Sequence, residues 1–166
     1  ERVGTLYYYD GTEAKELTDD VYSFKISADG NTILYITDYV CKEYSGTLHI
    51  YDVSQMKSRE VADDVAAYGL ALSPDGKSYA YISDIEFGDF SNISYVRHYT
   101  SYISINGNAA EPLDSDRMVI GLSNSARYIY SANIEWRAAQ DSDGRLYVRH
   151  GKEEAKIGRT DAAGTC

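Results

Sequence analysis

The sequence comes closest to a hydrolytic nucleophile at Gly121-Leu122-Ser123-Asn124-Ser125. That stretch lacks the second glycine of the G-x-S-x-G elbow, which places serine on a sharp strand-to-helix turn. The three histidines, His49, His98 and His150, are scattered at no spacing that pairs them on a metal. Two fall on strands and one in a loop, and all three are expected to be solvated or hydrogen-bonded imidazoles. Asp141-Ser142-Asp143-Gly144 opens like a calcium loop, but Arg145 and Leu146 then occupy positions that need oxygen ligands. It reads as a β-turn feeding a strand. No glycine loop is built to cradle phosphate. Cys41 and Cys166 make neither a metal-ligand nor a redox spacing. The expectation is a chain that is not an enzyme and carries no catalytic residue, metal or cofactor.

The elements behind these residues are repeats. Leu70-Ala71-Leu72-Ser73-Pro74-Asp75-Gly76-Lys77-Ser78-Tyr79-Ala80-Tyr81-Ile82-Ser83 is an alternating strand, a tight turn and a second alternating strand. Pro74 pre-sets φ at a turn position, and Gly76 supplies the positive φ that a β-carbon penalises. Phe24 to Ile36 repeats the pattern around Ser27-Ala28-Asp29-Gly30, and Ile120 to Tyr130 repeats it around Ser123-Asn124-Ser125-Ala126. Leu6-Tyr7-Tyr8-Tyr9-Asp10-Gly11 recurs at Leu48, Tyr102 and Leu146, each time followed by a short polar strand.

A period of about 40–50 residues made of four short strands is the signature of a β-propeller blade. With the strands named A to D from the channel outward, the chain runs C-D and then A-B-C-D three times. Fourteen strands make three and a half blades, in repeats spanning roughly 6–47, 48–101, 102–145 and a partial 146–166. Tyr22, Phe24 and Ile26 align with Tyr68, Leu70 and Leu72, and with Met118, Ile120 and Leu122, as one face of strand A. A helix over Ser54 to Ala67 is rejected, because its neighbours align with strand and turn in the other copies. Blades bury their faces only against other blades, so the chain is either part of a longer propeller or half of a dimeric ring.

The Ser-Pro-Asp-Gly turn between an alternating strand and an Ile/Leu-Tyr strand resembles the WD40-like repeats of TolB-type propellers. It is also similar to the propeller of prolyl oligopeptidase-type enzymes. The match is full at Ser73-Pro74-Asp75-Gly76, lacks proline at Ser27 to Gly30, and lacks both proline and glycine at Ser123 to Ala126. The resemblance implies an all-β propeller serving as a binding platform or a gate, and it brings over no catalytic residue.

Loop length separates the two ends of the blades. The A–B and C–D turns are mostly tight. The B–C loops are expected to be long, over Asp38 to Gly46, Asp84 to Thr100 and Asn133 to Gly144. They carry Tyr39, Tyr44, Phe87, Phe90, Tyr95, Tyr99 and the single Trp136. The acidic corners with Asp20 and Asp64 arrive on the same face, as turn formers or as a carboxylate ring at the channel mouth. Loops on a rigid scaffold carry binding residues, and aromatic rings give contact area at low entropic cost. The expected partner is a protein, a peptide or a carbohydrate. A net charge of −10 argues against nucleic acid and anionic membranes, both of which need a basic footprint. No run reaches the roughly 18 apolar residues of a membrane span. The TolB-type resemblance and the tyrosine-rich acidic composition point to an extracytoplasmic, bacterial setting. A peptidase or hydrolase accessory domain is the alternative reading.

Overall fold

The computed structural model describes residues 3–90, 93–115, 117–133 and 144–160, without the side chains of 89, 90, 93–97, 114, 115, 133, 144, 159 and 160. An antiparallel pair comes first, β1 (Gly4–Tyr9) and β2 (Ala14–Val21). Blade 1 contains β3 (Ser23–Ile26), β4 (Thr32–Val40), β5 (Ser45–Asp52) and β6 (Lys57–Ala66). Blade 2 contains β7 (Ala71–Leu72), β8 (Tyr79–Phe90), β9 (Ile93–Ser104) and β10 (Glu111–Ser115). Blade 3 contains β11 (Met118–Leu122), β12 (Ile129–Asn133), β13 (Gly144–His150) and β14 (Glu153–Thr160). Within each blade the strands are hydrogen-bonded in chain order and antiparallel. The fold is therefore all-β, with the expected run of C-D and three A-B-C-D sheets. Ser54 to Ala67 is a turn followed by β6, as the repeat alignment predicts.

The A–B turns show why Ser-x-Asp-Gly recurs. Gly30 N–H donates to the Ser27 carbonyl at 3.0 Å, and Gly76 N–H to the Ser73 carbonyl at 2.9 Å, each closing a tight turn. The serine hydroxyl then donates to the aspartate carboxylate, Ser27 to Asp29 at 2.5 Å and Ser73 to Asp75 at 2.6 Å. The same oxygen accepts an N–H five residues on, from Thr32 or Ser78, at 3.0 Å in both copies. Ser123 keeps this last bond, accepting from Tyr128 N–H at 2.8 Å. Its hydroxyl is thus part of a hairpin turn, ahead of a short 3-10 turn at Asn124–Ala126.

The blades stack face to face. Leu34, Ile36, Leu48 and Val65 of blade 1 meet Leu70, Tyr79 and Tyr81 of blade 2. Ala71, Ala80 and Ile103 on the other face of blade 2 meet Val119, Leu122 and Ile129 of blade 3. Leu34, Ile36 and Leu48 are fully buried, each contributing about 1.5–3 kcal/mol relative to exposure.

Three expectations need correction. In blade 3 a bulge between Val119 and Gly121 shifts the register, so Val119 and Leu122 enter the core and Ile120 is 51% exposed. The B–C loops are not long irregular segments. The first is only the turn at 41–44, and the second is a hairpin arm in which Glu86 to Phe90 pair with His98 to Ile93. Its alternating aromatic and β-branched residues extend the ladder. His98 accordingly lies in β9, so all three histidines are on C strands. The third expected loop begins and ends on strand residues, Asn133 of β12 and Gly144 of β13, and its positions 134–143 lie outside the described residues, as does Cys166.

Candidate functional site

The acidic corners are bends inside continuous strands. Asp20 in β2 and Asp64 in β6 have φ of 55° and 53°, and Asp38 in β4 and Asp84 in β8 have φ of 53° and 51°. Aspartate tolerates this left-handed conformation better than most residues with a β-carbon. The extra residues disrupt the ladders, between Gly46 and Leu48 on β5 and between Ser83 and Glu86 on β8. Such bulges bend a strand and re-aim its side chains.

Blades 1 and 2 meet here in an open cleft of about 530 Å³, lined by Glu43, Ser45, Asp63, Asp64, Ser83, Asp84, Ile85 and Phe87. Ser83 ties its walls together by donating to the Asp64 carbonyl at 3.1 Å. Thr47 donates to Asp63 at 3.1 Å, repeating the Thr5 to Asp19 bond of the first pair at 2.8 Å. Tyr102 donates to Asp84 at 2.5 Å. This bond, ahead of burial and the Asp84 charge, raises the Tyr102 pKa above the ordinary phenol value. Among the described residues, the carboxylates of Glu43 and Asp64 have no side-chain partner. The Tyr44 ring lies 5.7 Å from the Phe87 ring, tilted by 38°, and both rings are exposed. The cleft therefore offers four carboxylates beside an aromatic wall, a combination that accepts ammonium or guanidinium groups.

The structure divides the residues expected from the sequence. Tyr44, Asp64 and Phe87 come together at this cleft. Asp20 occupies the matching left-handed position one repeat earlier, outside it. Tyr39 stacks on Tyr22 at 3.7 Å. Burial, with a hydrogen bond and charge interaction from Tyr22, pushes the Tyr39 pKa up to about 12. Tyr99 is 3% exposed and packs with Ala66 and Ile82, so it is a core residue and not a surface contact. Phe90 pairs with Ile93 and Tyr95 with Gly88 in the β8–β9 arm, and the side chains of Phe90 and Tyr95 lie outside the described residues. Trp136 is outside them as well. Asp63 belongs to the Asp63-Asp64 corner expected on this face, whereas Glu43 and Asp84 were missed. The repeated signal for the last was Tyr35-Ile36-Thr37-Asp38 against Tyr81-Ile82-Ser83-Asp84.

A second inter-blade cleft, at the A–B turn end, mixes Asp29, Asp52 and Asp75 with Lys57, Arg59 and Lys77. Its carboxylates are already engaged by turns: Asp52, for instance, accepts from Ser54 at 2.6 Å and Gln55 N–H at 3.1 Å. Among the described residues no three His, Cys, Asp or Glu side chains are grouped to hold a metal. No helix there is long and apolar enough to cross a membrane.

Solved structures share this architecture. The dipeptidyl peptidase 4 of Porphyromonas gingivalis is 14% identical, with a TM-score of 0.62 over 93% of this chain and 28% of its own. TolB from Acinetobacter baumannii is 12% identical, with a TM-score of 0.54 over 92% of this chain and 36% of its own. The fold is a TolB-like, peptidase-type β-propeller. The propeller domain of the trilobed protease from Pyrococcus furiosus, described as having an open velcro topology, matches at 12% identity and a TM-score of 0.57. That match covers 93% of this chain and 53% of the other. The chain thus spans between about a quarter and a half of the length of these proteins. No family model matches it, and no curated protein matches it in sequence.

Proposed function

We propose that the chain is a non-enzymatic recognition module whose acidic, aromatic-walled cleft between blades 1 and 2 receives a cationic segment of a protein or peptide partner. The observation that carries this reading is the convergence of Glu43, Asp63, Asp64 and Asp84 beside Phe87. A lysine or arginine side chain entering there finds carboxylates for its charge and an aromatic ring for its stem. The module acts outside the cytoplasm in this reading, which rests on the TolB-like fold and the acidic, tyrosine-rich composition.

The test is fluorescence anisotropy with a labelled arginine-rich peptide. Asp64→Asn with Asp84→Asn is expected to weaken binding at least tenfold. A control that removes equal charge elsewhere, Glu111→Gln with Glu153→Gln, leaves it nearly unchanged. Equal loss in both double variants would reduce the effect to net charge and sink the site.

The second reading, an accessory or gating domain of a peptidase, is favoured by likeness to proteins named as peptidases and proteases. Joined to a hydrolase domain, the module would restrict the length of peptide cleaved.

A further inference from the structure

The cleft at the A–B turn end of blades 1 and 2, about 570 Å³ in volume, gathers cations in a chain whose net charge is −10. Lys57 and Arg59 lie two residues apart on β6 and so share one face of that strand. Arg59 pairs with Ile50, which packs on the core shared with blade 2, so this face is turned toward the neighbouring blade. Lys77 enters the cleft from blade 2, directly after the turn glycine Gly76. Among the described residues, none of these three charged side chains has a hydrogen-bond or ion-pair partner. Backbone bonds between turns fix the frame that holds them. Val53 N–H donates to the Asn31 carbonyl and Gly107 N–H to the Lys77 carbonyl, each at 2.9 Å, joining the C–D turn to the A–B turn within each blade. The repeat itself does not require the charge. At the next blade boundary Glu111 stands where Arg59 does, paired with Ile103, which packs on the core shared with blade 3. An acidic residue fills the same structural place there, so the basic group belongs to this cleft and not to the fold.

We propose that this cleft binds an acidic segment of a partner polypeptide, whose carboxylates are set against Lys57, Arg59 and Lys77. Asp29, Asp52 and Asp75 share the lining and are ionised at neutral pH. They disfavour the dense charge of phosphate groups and suit single carboxylates spaced along a chain. The Arg59 guanidinium takes a carboxylate through two parallel N–H bonds. The amides of Asn31, Gln55 and Asn106 in the same lining offer donors and acceptors to a peptide backbone. The site is independent of the acidic cleft and lies at the opposite end of the blades, so one module holds partners of both signs.

The probe is a fluorescein-labelled peptide of alternating glutamate and glycine, titrated with the whole chain and read by anisotropy. Saturable binding is expected with Kd of about 10–100 μM. Lys57→Gln with Arg59→Gln, both at exposed positions that leave the circular dichroism unchanged, is expected to weaken it about tenfold. Lys77→Gln, on the other blade, should weaken it in the same direction. Lys42→Gln with Lys152→Gln removes equal charge away from the cleft and should change binding by less than about twofold. Absence of saturable binding, or equal loss in the two double variants, overturns the proposal. So does equal binding of the same peptide with glutamine in place of glutamate. Displacement of the labelled peptide by inorganic phosphate at about 1 mM or below would make the cleft a phosphate site and also overturn it.

Discussion

Asp75 and Ser125, fifty residues apart, are joined by two hydrogen bonds across the boundary between blades 2 and 3. One Asp75 carboxylate oxygen accepts both the N–H and the hydroxyl of Ser125, each at 2.9 Å. Ser125 has φ of 52° and Ala126 φ of 48°, so the third A–B turn keeps its left-handed form without glycine. Between blades 1 and 2 the corresponding link is Ala28 N–H to the Pro74 carbonyl at 2.9 Å. The A–B turns are thus stapled in a row at the end of the blades opposite the acidic cleft. Asp75→Ala is expected to cost about 1–2 kcal/mol in urea unfolding at pH 7. The carboxylate is partly buried, which works to raise its pKa. Bonds from Ser73, Ser125 and Lys77 outweigh burial and hold it below the ordinary value. Its stabilising effect is therefore complete above the ordinary carboxylate range and fades as pH falls through the lowered value. Wild type and Asp75→Ala should converge in stability at acid pH.

Gly76 and Gly30 occupy the same turn position and should not respond alike. Both have positive φ, 68° and 73°. A β-carbon at Gly30 meets open space, whereas at Gly76 it runs into Thr32 and Ser27 of blade 1. Gly30→Ala is expected to cost about 1 kcal/mol from backbone conformation alone. Gly76→Ala should cost about 1–3 kcal/mol more, because the inter-blade contact must give way. Equal losses in thermal unfolding would show that these turns do not approach closely.

Much of the fold was legible because one hairpin chemistry recurs. The Ser, Asp and Gly of the first two A–B turns are present for bonds made within five residues, and local bonds leave local sequence marks. The site was less legible because it is assembled between blades. Nothing near Glu43 in the sequence indicates Asp84, which a separate strand brings beside it. Phe87 and Tyr99 look alike as aromatics in one loop. They differ because the loop is a hairpin arm, on which Phe87 is exposed while Tyr99 turns into the core. Ile120 was misplaced by a one-residue bulge, which moves a side chain to the other face of a strand.

Acid lability is expected from turn carboxylates outside the cleft as well. Asp10 is held at a pKa of about 2, first by the Thr12 hydroxyl and then by the N–H groups of Glu13 and Thr12. Asp29 and Asp52 are lowered chiefly by the hydroxyls of Ser27 and Ser54. A lowered native pKa makes the unfolded chain bind protons first, so stability falls as pH drops from about 4 to about 2. Side-chain NMR titration should find Asp10 still ionised at pH 3. A midpoint near 4 would show that the β1–β2 turn bonds are not formed in solution.

The division of the aromatics between core and cleft makes opposite predictions for two neighbours on one arm. Tyr99 is buried against Ala66, Ile82 and Met118, so Tyr99→Ala should cost about 3 kcal/mol or more. Phe87 is 39% exposed and touches Tyr44, so Phe87→Ala should change stability by less than about 1 kcal/mol. Binding should invert this order. Phe87→Ala removes the wall against which a cationic side chain packs and is expected to weaken the arginine-rich peptide by about tenfold, equivalent to ~1.4 kcal/mol. Tyr99→Phe preserves the buried ring and should leave binding unchanged. A Phe87→Ala protein that binds normally, with Asp64→Asn and Asp84→Asn still defective, would leave a purely electrostatic cleft without an aromatic wall.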